Sequence, residues 1–260
     1  MDKAYPGVAD LPATVLPLAP MRYAFPTPTP QSRTMSDHRS RFLQLALHSQ
    51  ALRFGEFTLK SGRLSPYFFN AGRFDSGAKL AELAACYADA VEASGVQFDL
   101  LFGPAYKGIP LATALACEFS RRGRDLPVAF NRKEAKAHGE GGTLIGAPLE
   151  ERRVLIVDDV ITAGTAIREA LGLIQAGGGR VAGIVVALDR QETLGEAGLG
   201  EATTDRRSAA QTVAAETGVP VIAVANLHDL LAFAGESAEL VTHRDHLLAY
   251  RASYGSGSPN

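Results

Sequence analysis

The sequence lacks features that mark several common classes of protein. Its 260 residues include only two cysteines, Cys86 and Cys117, which lie in Ala-rich stretches without CxxC spacing or a nearby histidine. This pattern argues against a cysteine metal site and favours buried thiols in a reducing compartment, so we expect a cytoplasmic protein. No apolar run approaches the ~18 residues that a membrane span requires.

Charge excess and familiar catalytic patterns are missing as well. The formal net charge is −2, which argues against a surface that coats a polyanion. No GxGxxG follows the first strand pattern, so the dinucleotide-binding fingerprint is absent, and no Ser-His-Asp or Cys-His arrangement is evident. The hydrophobic fraction of 46% and the length instead predict one large domain with a substantial core.

Residues 1–34 differ from the rest of the chain. Seven of the 14 prolines lie in the first 30 positions, and AFPTPTPQSRT cannot hold a regular element, which predicts a disordered extension. The prolines interrupt every candidate apolar core of a secretory signal. Met35, a candidate translation start, is followed by helix-capping residues and an amphipathic pattern. The predicted organisation is a domain over 35–255, with a hood at about 35–75 and a core at about 76–255, and a flexible tail at 256–260.

The segment pattern predicts an α/β fold. Strand patterns alternate with helical ones from about residue 76, which indicates a mostly parallel sheet covered by helices on both faces. The earlier stretch FGEFTLKSGRLSPYFFNAGRF predicts short antiparallel strands with turns at Ser61-Gly62 and Ser65-Pro66. The later stretch RKEAKAHGEGGTLIG is hairpin-like.

The stretch RVLIVDDVITAGTAIRE carries the strongest chemical signal. Residues 154–157 are apolar without alternation, as in a strand buried on both faces, so Asp158 and Asp159 are expected at its carboxyl edge. Amide groups of residues 162–166 can converge on a phosphate at the amino end of the next helix, with Gly164 allowing close approach. The acids would then hold sugar hydroxyls or a magnesium ion. The alternative is a helix cap beside a solvated strand end.

Two further motifs carry positive charge. GPAYKG places Lys107 in a Gly-flanked loop after a predicted strand, where a lysine suits a diphosphate, although it could be an ordinary surface residue. RKEAKAHGEGG puts three fixed charges and a histidine before mobile glycines. Sequence alone leaves this second motif divided between a solvated loop and an anion-binding lid.

These motifs resemble those of a known family. VLIVDDVITAGTA resembles the 5-phosphoribosyl 1-diphosphate (PRPP) signature of type I phosphoribosyltransferases, and the other stretches resemble motifs of the orotate phosphoribosyltransferase family. The resemblance runs from about Met35 almost to the carboxyl end, and departs at the Pro-rich extension and around 194–205. It implies the type I phosphoribosyltransferase fold, a mostly parallel sheet flanked by helices with a small amino-terminal hood and a flexible active-site loop.

The resemblance also implies roles for individual residues. The positions that match PRPP contacts are Lys60, Tyr106, Lys107, Arg132, Lys133, Lys136, His138, Asp158, Asp159, Val160, Ile161, Thr162, Ala163, Gly164, Thr165 and Ala166. Those that match orotate contacts are Phe68, Phe69, Thr162 and Arg190, although strand alternation lets only one of the two rings stack on the base. Those that match catalytic roles are Lys136, Asp158, Asp159, Arg132 and His138.

The implied reaction is transfer of ribose 5-phosphate from PRPP to orotate, in the synthesis of UMP. The implied cofactor is Mg²⁺, bound mainly through PRPP and water near Asp158 and Asp159. The implied assembly is a homodimer that shares the loop, with no nucleic-acid or membrane partner. A purine-type phosphoribosyltransferase and a PRPP-sensing nucleic-acid-binding regulator remain alternatives. KSGRLSPYFFN and HGEGG argue against the first, and the complete lid and slightly acidic chain argue against the second.

Overall fold

The computed structural model describes residues 37–59, 62–136, 142–162, 164–193, 207–236 and 240–256, with the backbone alone at 135, 136 and 142. All of them belong to one of the two units into which the chain divides, residues 33–260. The predicted extension, the segment 194–205 and nearly all of the predicted tail lie outside the described residues. None of the described helices combines the length and apolarity needed to span a membrane.

Helices and strands alternate along most of the chain. The strands are β1 (Leu52–Thr58), β2 (Leu64–Phe69), β3 (Leu100–Gly103), β4 (Val128–Lys136), β5 (Gly142–Gly146), β6 (Arg153–Asp158), β7 (Arg180–Asp189) and β8 (Val221–Asn226). The helices are α1 (His38–His48), α2 (Gly77–Ser94), α3 (Gly108–Arg121), α4 (Thr165–Ala176), α5 (Ala209–Thr217), α6 (Leu227–Glu236) and α7 (Val241–Tyr254), with a short 3₁₀ helix at Ala71–Arg73.

Local capping residues set several of the helix ends. The Ser76 side chain accepts a hydrogen bond from the Lys79 amide at the start of α2, and Gly95 ends that helix in the left-handed region with φ of 70°. A reciprocal capping box between Ser208 and Gln211 begins α5. Both α2 and α5 therefore begin at a serine whose side chain caps the first turn.

Six strands form the central sheet in the order β5-β4-β3-β6-β7-β8. All neighbouring pairs are parallel except β4 with β5, which form the predicted hairpin. Along β6, Leu155 and Val157 belong to one buried cluster while Val154 and Ile156 belong to the other. The strand is therefore buried on both faces, which explains its lack of alternation and confirms the predicted mostly parallel sheet between helices.

A separate two-stranded antiparallel sheet joins β1 and β2 beside α1. The predicted turn at Ser65-Pro66 is wrong, because both residues lie inside β2. The only strand that pairs with β2 among the described residues is β1, and an edge strand tolerates a proline that lacks an amide hydrogen. Of the other predicted turn, Ser61-Gly62, Ser61 lies outside the described residues, while Gly62 has φ of 77° and its amide donates to the Leu59 carbonyl at 2.9 Å.

The chain segments that follow the two central strands, β3 and β6, run to opposite sides of the sheet. From β3 the chain continues to β4 on one side, whereas from β6 it continues to β7 and β8 on the other. The loops that follow β3 and β6 therefore start from adjacent strands at the carboxyl edge of the sheet and lead away from each other. In open α/β sheets, ligands bind in the crevice at such a switch point.

Candidate active site

The paired acids lie at the end of β6, as predicted, but they are more deeply buried than a solvated strand end would be. Asp158 is 8% exposed and Asp159 is 5% exposed. The Asp159 amide donates to Oδ1 of Asp158 at 2.9 Å, and the Tyr87 hydroxyl donates to the Asp158 carbonyl at 2.8 Å. The Ala187 amide of β7 donates to the Asp159 carbonyl at 2.9 Å. The backbone that carries both carboxylates is thus fixed from three directions.

Burial changes the acidity of the first carboxyl group. Desolvation, together with the neighbouring Asp159 carboxylate, raises the pKa of Asp158 to about 7. Lys107 acts in the opposite direction, as does the Asp159 amide. Asp158 therefore exchanges a proton near neutral pH, and a cation placed beside it would favour its ionised form.

The two phosphate motifs meet through an ion pair. Nζ of Lys107 donates to Oδ2 of Asp159 at 2.6 Å. The Lys107 side chain is 57% exposed, so it covers the buried carboxylate from the solvent side. Adjacent pairing of β3 with β6 brings these residues together, since each follows the end of its strand.

The loop after β6 leads into a helix whose amino end is open. Gly164, with φ of 75°, precedes α4, and as a glycine it has no side chain that could cap the first amides of that helix. A Cβ atom at Gly164 would lie 2.9 Å from Cγ2 of Val213. Both this close approach and the positive φ therefore require glycine. Uncapped amides and the helix dipole both favour an anion here.

The other predicted members of this loop differ in accessibility. Val160 is half-buried and Ile161 is buried, whereas Thr162, Thr165 and Ala166 are exposed. Ala163 lies outside the described residues. Backbone groups of the exposed members can therefore meet a ligand, while Ile161 anchors the loop in the core below α4.

The loop after β3 packs closely against β6. A Cβ atom at Gly108 would lie 2.6 Å from the Val157 carbonyl oxygen, so only glycine allows this approach. The peptide bond between Ala105 and Tyr106 is cis. The Ala105 amide donates to Oδ1 of Asn131 at 2.9 Å, which ties the loop to β4. Sequence reasoning missed Asn131, although a polar residue within the otherwise apolar start of β4 is a usable signal.

The predicted lid begins in β4. Nζ of Lys133 lies 5.0 Å from the ring centre of Tyr106, so the base of the lid contacts the loop after β3. Arg132 is half-buried beside it in the same strand. Lys136 is the last residue of β4 and its side chain is not described, while His138 and Lys60 lie outside the described residues.

Arg190, the predicted carboxylate ligand, follows β7 and is held by neighbours. Its Nε and Nη2 atoms both lie 2.8 Å from Oε1 of Glu192, and Nη2 donates to Oγ of Ser65 at 3.2 Å. The guanidinium group lies 4.7 Å from the ring centre of Tyr67. These contacts join the end of β7 to β2. Sequence reasoning missed Glu192, since an acid two residues from an arginine is common on surfaces.

Phe68 and Phe69, the two aromatic residues predicted to contact orotate, point to opposite faces of β2, as strand alternation requires. Phe69 packs in the core against Phe42 and Phe74, whereas Phe68 is half-buried beside Phe57. Because Phe68 alternates with Tyr67 along β2, its ring points away from the Arg190 guanidinium. The structure therefore brings Lys107 close to the paired acids but leaves Phe68 and Arg190 on opposite faces of β2.

The acid pair fits a magnesium ion that arrives with its own oxygen ligands. Within the described ranges, no group of three or more His, Cys, Asp or Glu side chains could hold a metal ion. Mg²⁺ commonly uses one or two carboxylates together with water and substrate phosphates, rather than an all-protein cage. Two adjacent carboxylates beside an open helix end match that requirement.

Comparisons with known proteins agree with this geometry. A family model described as the phosphoribosyl transferase domain matches residues 75–199. The chain is 76% identical over 222 residues to an orotate phosphoribosyltransferase of Xanthomonas campestris pv. campestris strain B100, covering 85% of this chain and 98% of that protein. It is 72% identical over 221 residues to the one of Stenotrophomonas maltophilia strain K279a, with the same coverage. A crystal structure of the Francisella tularensis orotate phosphoribosyltransferase is 42% identical with a TM-score of 0.72, covering 83% of this chain and 99% of that one.

Proposed function

This chain belongs to the orotate phosphoribosyltransferase family, and from that membership we infer that it transfers ribose 5-phosphate from PRPP to orotate. The products are orotidine 5′-phosphate and diphosphate, a step in the synthesis of UMP. The identity of 76% over 222 residues to the Xanthomonas campestris enzyme carries this inference. It favours the orotate enzyme over a purine-type transferase and over a regulator without turnover.

We propose that the sugar phosphate of PRPP binds at the amino end of α4. The absence of a side-chain cap at Gly164 supports this, since a phosphate would supply acceptors for the first amides of the helix. The ribose hydroxyls would then face Asp158 and Asp159. Lys107 and Tyr106, in the loop after β3, would lie on the side of the diphosphate.

Breaking the anomeric C–O bond develops positive charge on the ribose and negative charge on the departing diphosphate. The chain's contribution is therefore electrostatic, with the carboxylates beside the ribose and cationic side chains around the leaving group. Mg²⁺, when bound with PRPP, would neutralise part of the diphosphate charge. Arg132, Lys133, Lys136 and His138 would supply the rest as the lid closes and excludes water.

For the base we propose that Arg190 pairs with the orotate carboxylate. A guanidinium group can offer two parallel donors to a carboxylate. Because Glu192 occupies Nε and Nη2, orotate would pair on the Nη1 side or displace Glu192. Thr162 is exposed toward solvent and can contribute a hydroxyl group. Phe68 is the proposed stacking ring, since Phe69 belongs to the core. Phe68 would meet the base only after the two-stranded sheet shifts relative to β7.

We propose a homodimer in which each lid serves the neighbouring active site, with no nucleic-acid or membrane partner. We also propose a cytoplasmic location. Both cysteines are free, with Cys86 buried and Cys117 exposed, as is usual under reducing conditions.

A direct assay tests the proposed reaction. Purified protein is mixed with PRPP and Mg²⁺, and the absorbance of orotate is followed against a parallel reaction with hypoxanthine. We expect consumption of orotate only, and dependence on Mg²⁺. Consumption of hypoxanthine would indicate a purine enzyme, and PRPP-dependent nucleic-acid binding without turnover would indicate a regulator.

A further inference from the structure

We propose that Tyr87 is a positioning residue for the transfer reaction, which fixes the peptide group between Asp158 and Asp159 and thereby aims both carboxylates at the ribose. The inference rests on the proposed role of the acid pair in PRPP binding. Tyr87 lies in α2, far from every sequence motif, and its hydroxyl reaches the Asp158 carbonyl at 2.8 Å.

The end of the β6–β7 ladder leaves the Asp158 carbonyl in need of a donor. The last β6–β7 pair is Asp158 with Val186. The next amide along β7, that of Ala187, donates to the Asp159 carbonyl at 2.9 Å. On the other side, pairing of β6 with β3 stops at Ile156. The Tyr87 hydroxyl therefore donates to a carbonyl of the last β6–β7 pair, two residues beyond the end of the pairing with β3.

The peptide group between the two acids is held at both of its polar atoms. Its oxygen accepts from the Tyr87 hydroxyl, and its N–H donates to Oδ1 of Asp158 at 2.9 Å. Rotation of this peptide group would swing the Asp159 side chain, whose Oδ2 atom contacts Lys107 at 2.6 Å. The Tyr87 hydroxyl is thus one of the contacts that set the direction of the acid pair.

The hydroxyl has no access to solvent that could replace this bond. Tyr87 is among the largest fully buried side chains of the described residues. A buried phenol needs a polar partner, and a buried carbonyl without a donor is costly. The simpler interpretation is a satisfied core tyrosine that contributes only stability, and the test below separates the two.

The variant Tyr87→Phe removes the hydroxyl and keeps the ring. We expect kcat/KM for PRPP to fall about 10-fold or more, from a higher KM and a lower kcat, because a misdirected carboxylate binds the ribose less well. We expect KM for orotate to stay within about twofold, since the base site lies after β7. The control is Cys86→Ala, which alters the adjacent, fully buried position of α2 without contacting the acids.

All assays run below the melting temperature of the least stable variant, and wild-type turnover of orotate is measured in the same series. A wild type that fails to turn over would reject the proposed function, independently of Tyr87. Calorimetry then measures PRPP binding to the wild type, to Tyr87→Phe, to Asp159→Asn and to the double variant, which together form a double-mutant cycle. Non-additive losses support positioning through the acid pair. Additive losses, an unchanged kcat/KM, or equal losses in Tyr87→Phe and Cys86→Ala would overturn it.

Discussion

The ammonium group of Lys107 lies 2.6 Å from Oδ2 of Asp159, so two residues proposed to bind different parts of PRPP contact one another. The lysine belongs to the loop after β3, and the acid follows β6. If PRPP binds as proposed, the lysine would pair with the diphosphate and the acid with the ribose hydroxyls. In the ion pair, the lysine compensates the charge of a buried carboxylate.

The variant Lys107→Met keeps the aliphatic stem and removes the charge. We expect the free energy of unfolding to fall by about 1–3 kcal/mol, because Asp159 is left as a buried carboxylate without its counter-charge. Denaturant titration measures this loss. Lys79→Met is the matched control, since Lys79 pairs with the exposed Asp75 and its loss should lower the free energy of unfolding much less. Equal losses in the two variants would contradict the role given to the pair.

The raised pKa of Asp158 predicts a pH-dependent activity. Since kcat/KM reports ionisations of the free enzyme and substrate, kcat/KM for PRPP should rise with an inflection near pH 7 as Asp158 ionises. The variant Asp158→Asn should lose that inflection. Titration of PRPP itself occurs in both proteins, so the ratio of the two profiles isolates the side chain. A ratio that does not change with pH would show that the ionisation of Asp158 is irrelevant to PRPP capture.

The raised pKa of Asp158 also predicts that its carboxylate lowers the stability of the fold while it supports activity. A carboxyl group whose pKa is higher in the folded chain than in the unfolded chain destabilises the fold increasingly as pH rises between the two values, and by a constant amount above the higher one. With a folded pKa of about 7, Asp158→Asn should therefore stabilise the protein at pH 8, by up to about 4 kcal/mol, and hardly at all at about pH 4. Thermal unfolding at both pH values measures the difference.

Asp99→Asn is the control variant, for which we expect the opposite change in thermal stability. Hydrogen bonds from Arg153 hold the pKa of Asp99 well below its usual range, so this carboxylate stabilises the fold at neutral pH and loses its effect in acid. Its removal should therefore lower the melting temperature at pH 8. A common pH trend in both variants would indicate that neither change reports the ionisation of its own side chain.

The lid prediction concerns Lys136. The variant Lys136→Ala should lower kcat by about 100-fold or more while weakening PRPP binding much less, because its interaction strengthens as charge moves onto the diphosphate. Steady-state kinetics and PRPP calorimetry separate the two effects, with Lys79→Ala as a surface control. If KM alone rises, Lys136 is a binding residue without a role in the chemical step.

The two aromatic residues of β2 should respond differently to truncation. Phe69→Ala removes a core ring and should lower the free energy of unfolding by about 3–5 kcal/mol. Phe68→Ala should cost much less stability and raise KM for orotate, since the half-buried ring is the proposed stacking partner of the base. Unfolding titrations and steady-state kinetics on both variants measure these effects. An unchanged KM for orotate in Phe68→Ala would show that Phe68 does not contact the base.

Sequence patterns predicted features that depend on neighbours along the chain. The unbroken apolar run before Asp158 predicted a doubly buried strand, and the alternation of clusters along β6 confirms it. The Ser65-Pro66 turn was wrong because proline signals a turn locally, whereas pairing with β1 extends the strand through it.

Contacts between distant segments left no signal in the sequence. Tyr87 and Asp158 lie 71 positions apart, and Lys107 and Asp159 lie 52 apart. The sequence placed both motifs at the same sheet edge but could not predict that their charges would neutralise one another. Nor could it predict the depth of burial that raises the pKa of Asp158, which depends on how α2 packs beneath the strand ends.

The chain segments after β3 and β6 run to opposite sides of the central sheet, and this arrangement has a practical consequence for engineering. The proposed binding of the sugar phosphate uses loops after the two central strands, whereas the proposed recognition of the base uses the end of β7 and the small sheet. A mutagenesis library confined to residues 64–69 and 190–193 can therefore search for new acceptor bases while the donor-binding half of the cleft is inherited unchanged.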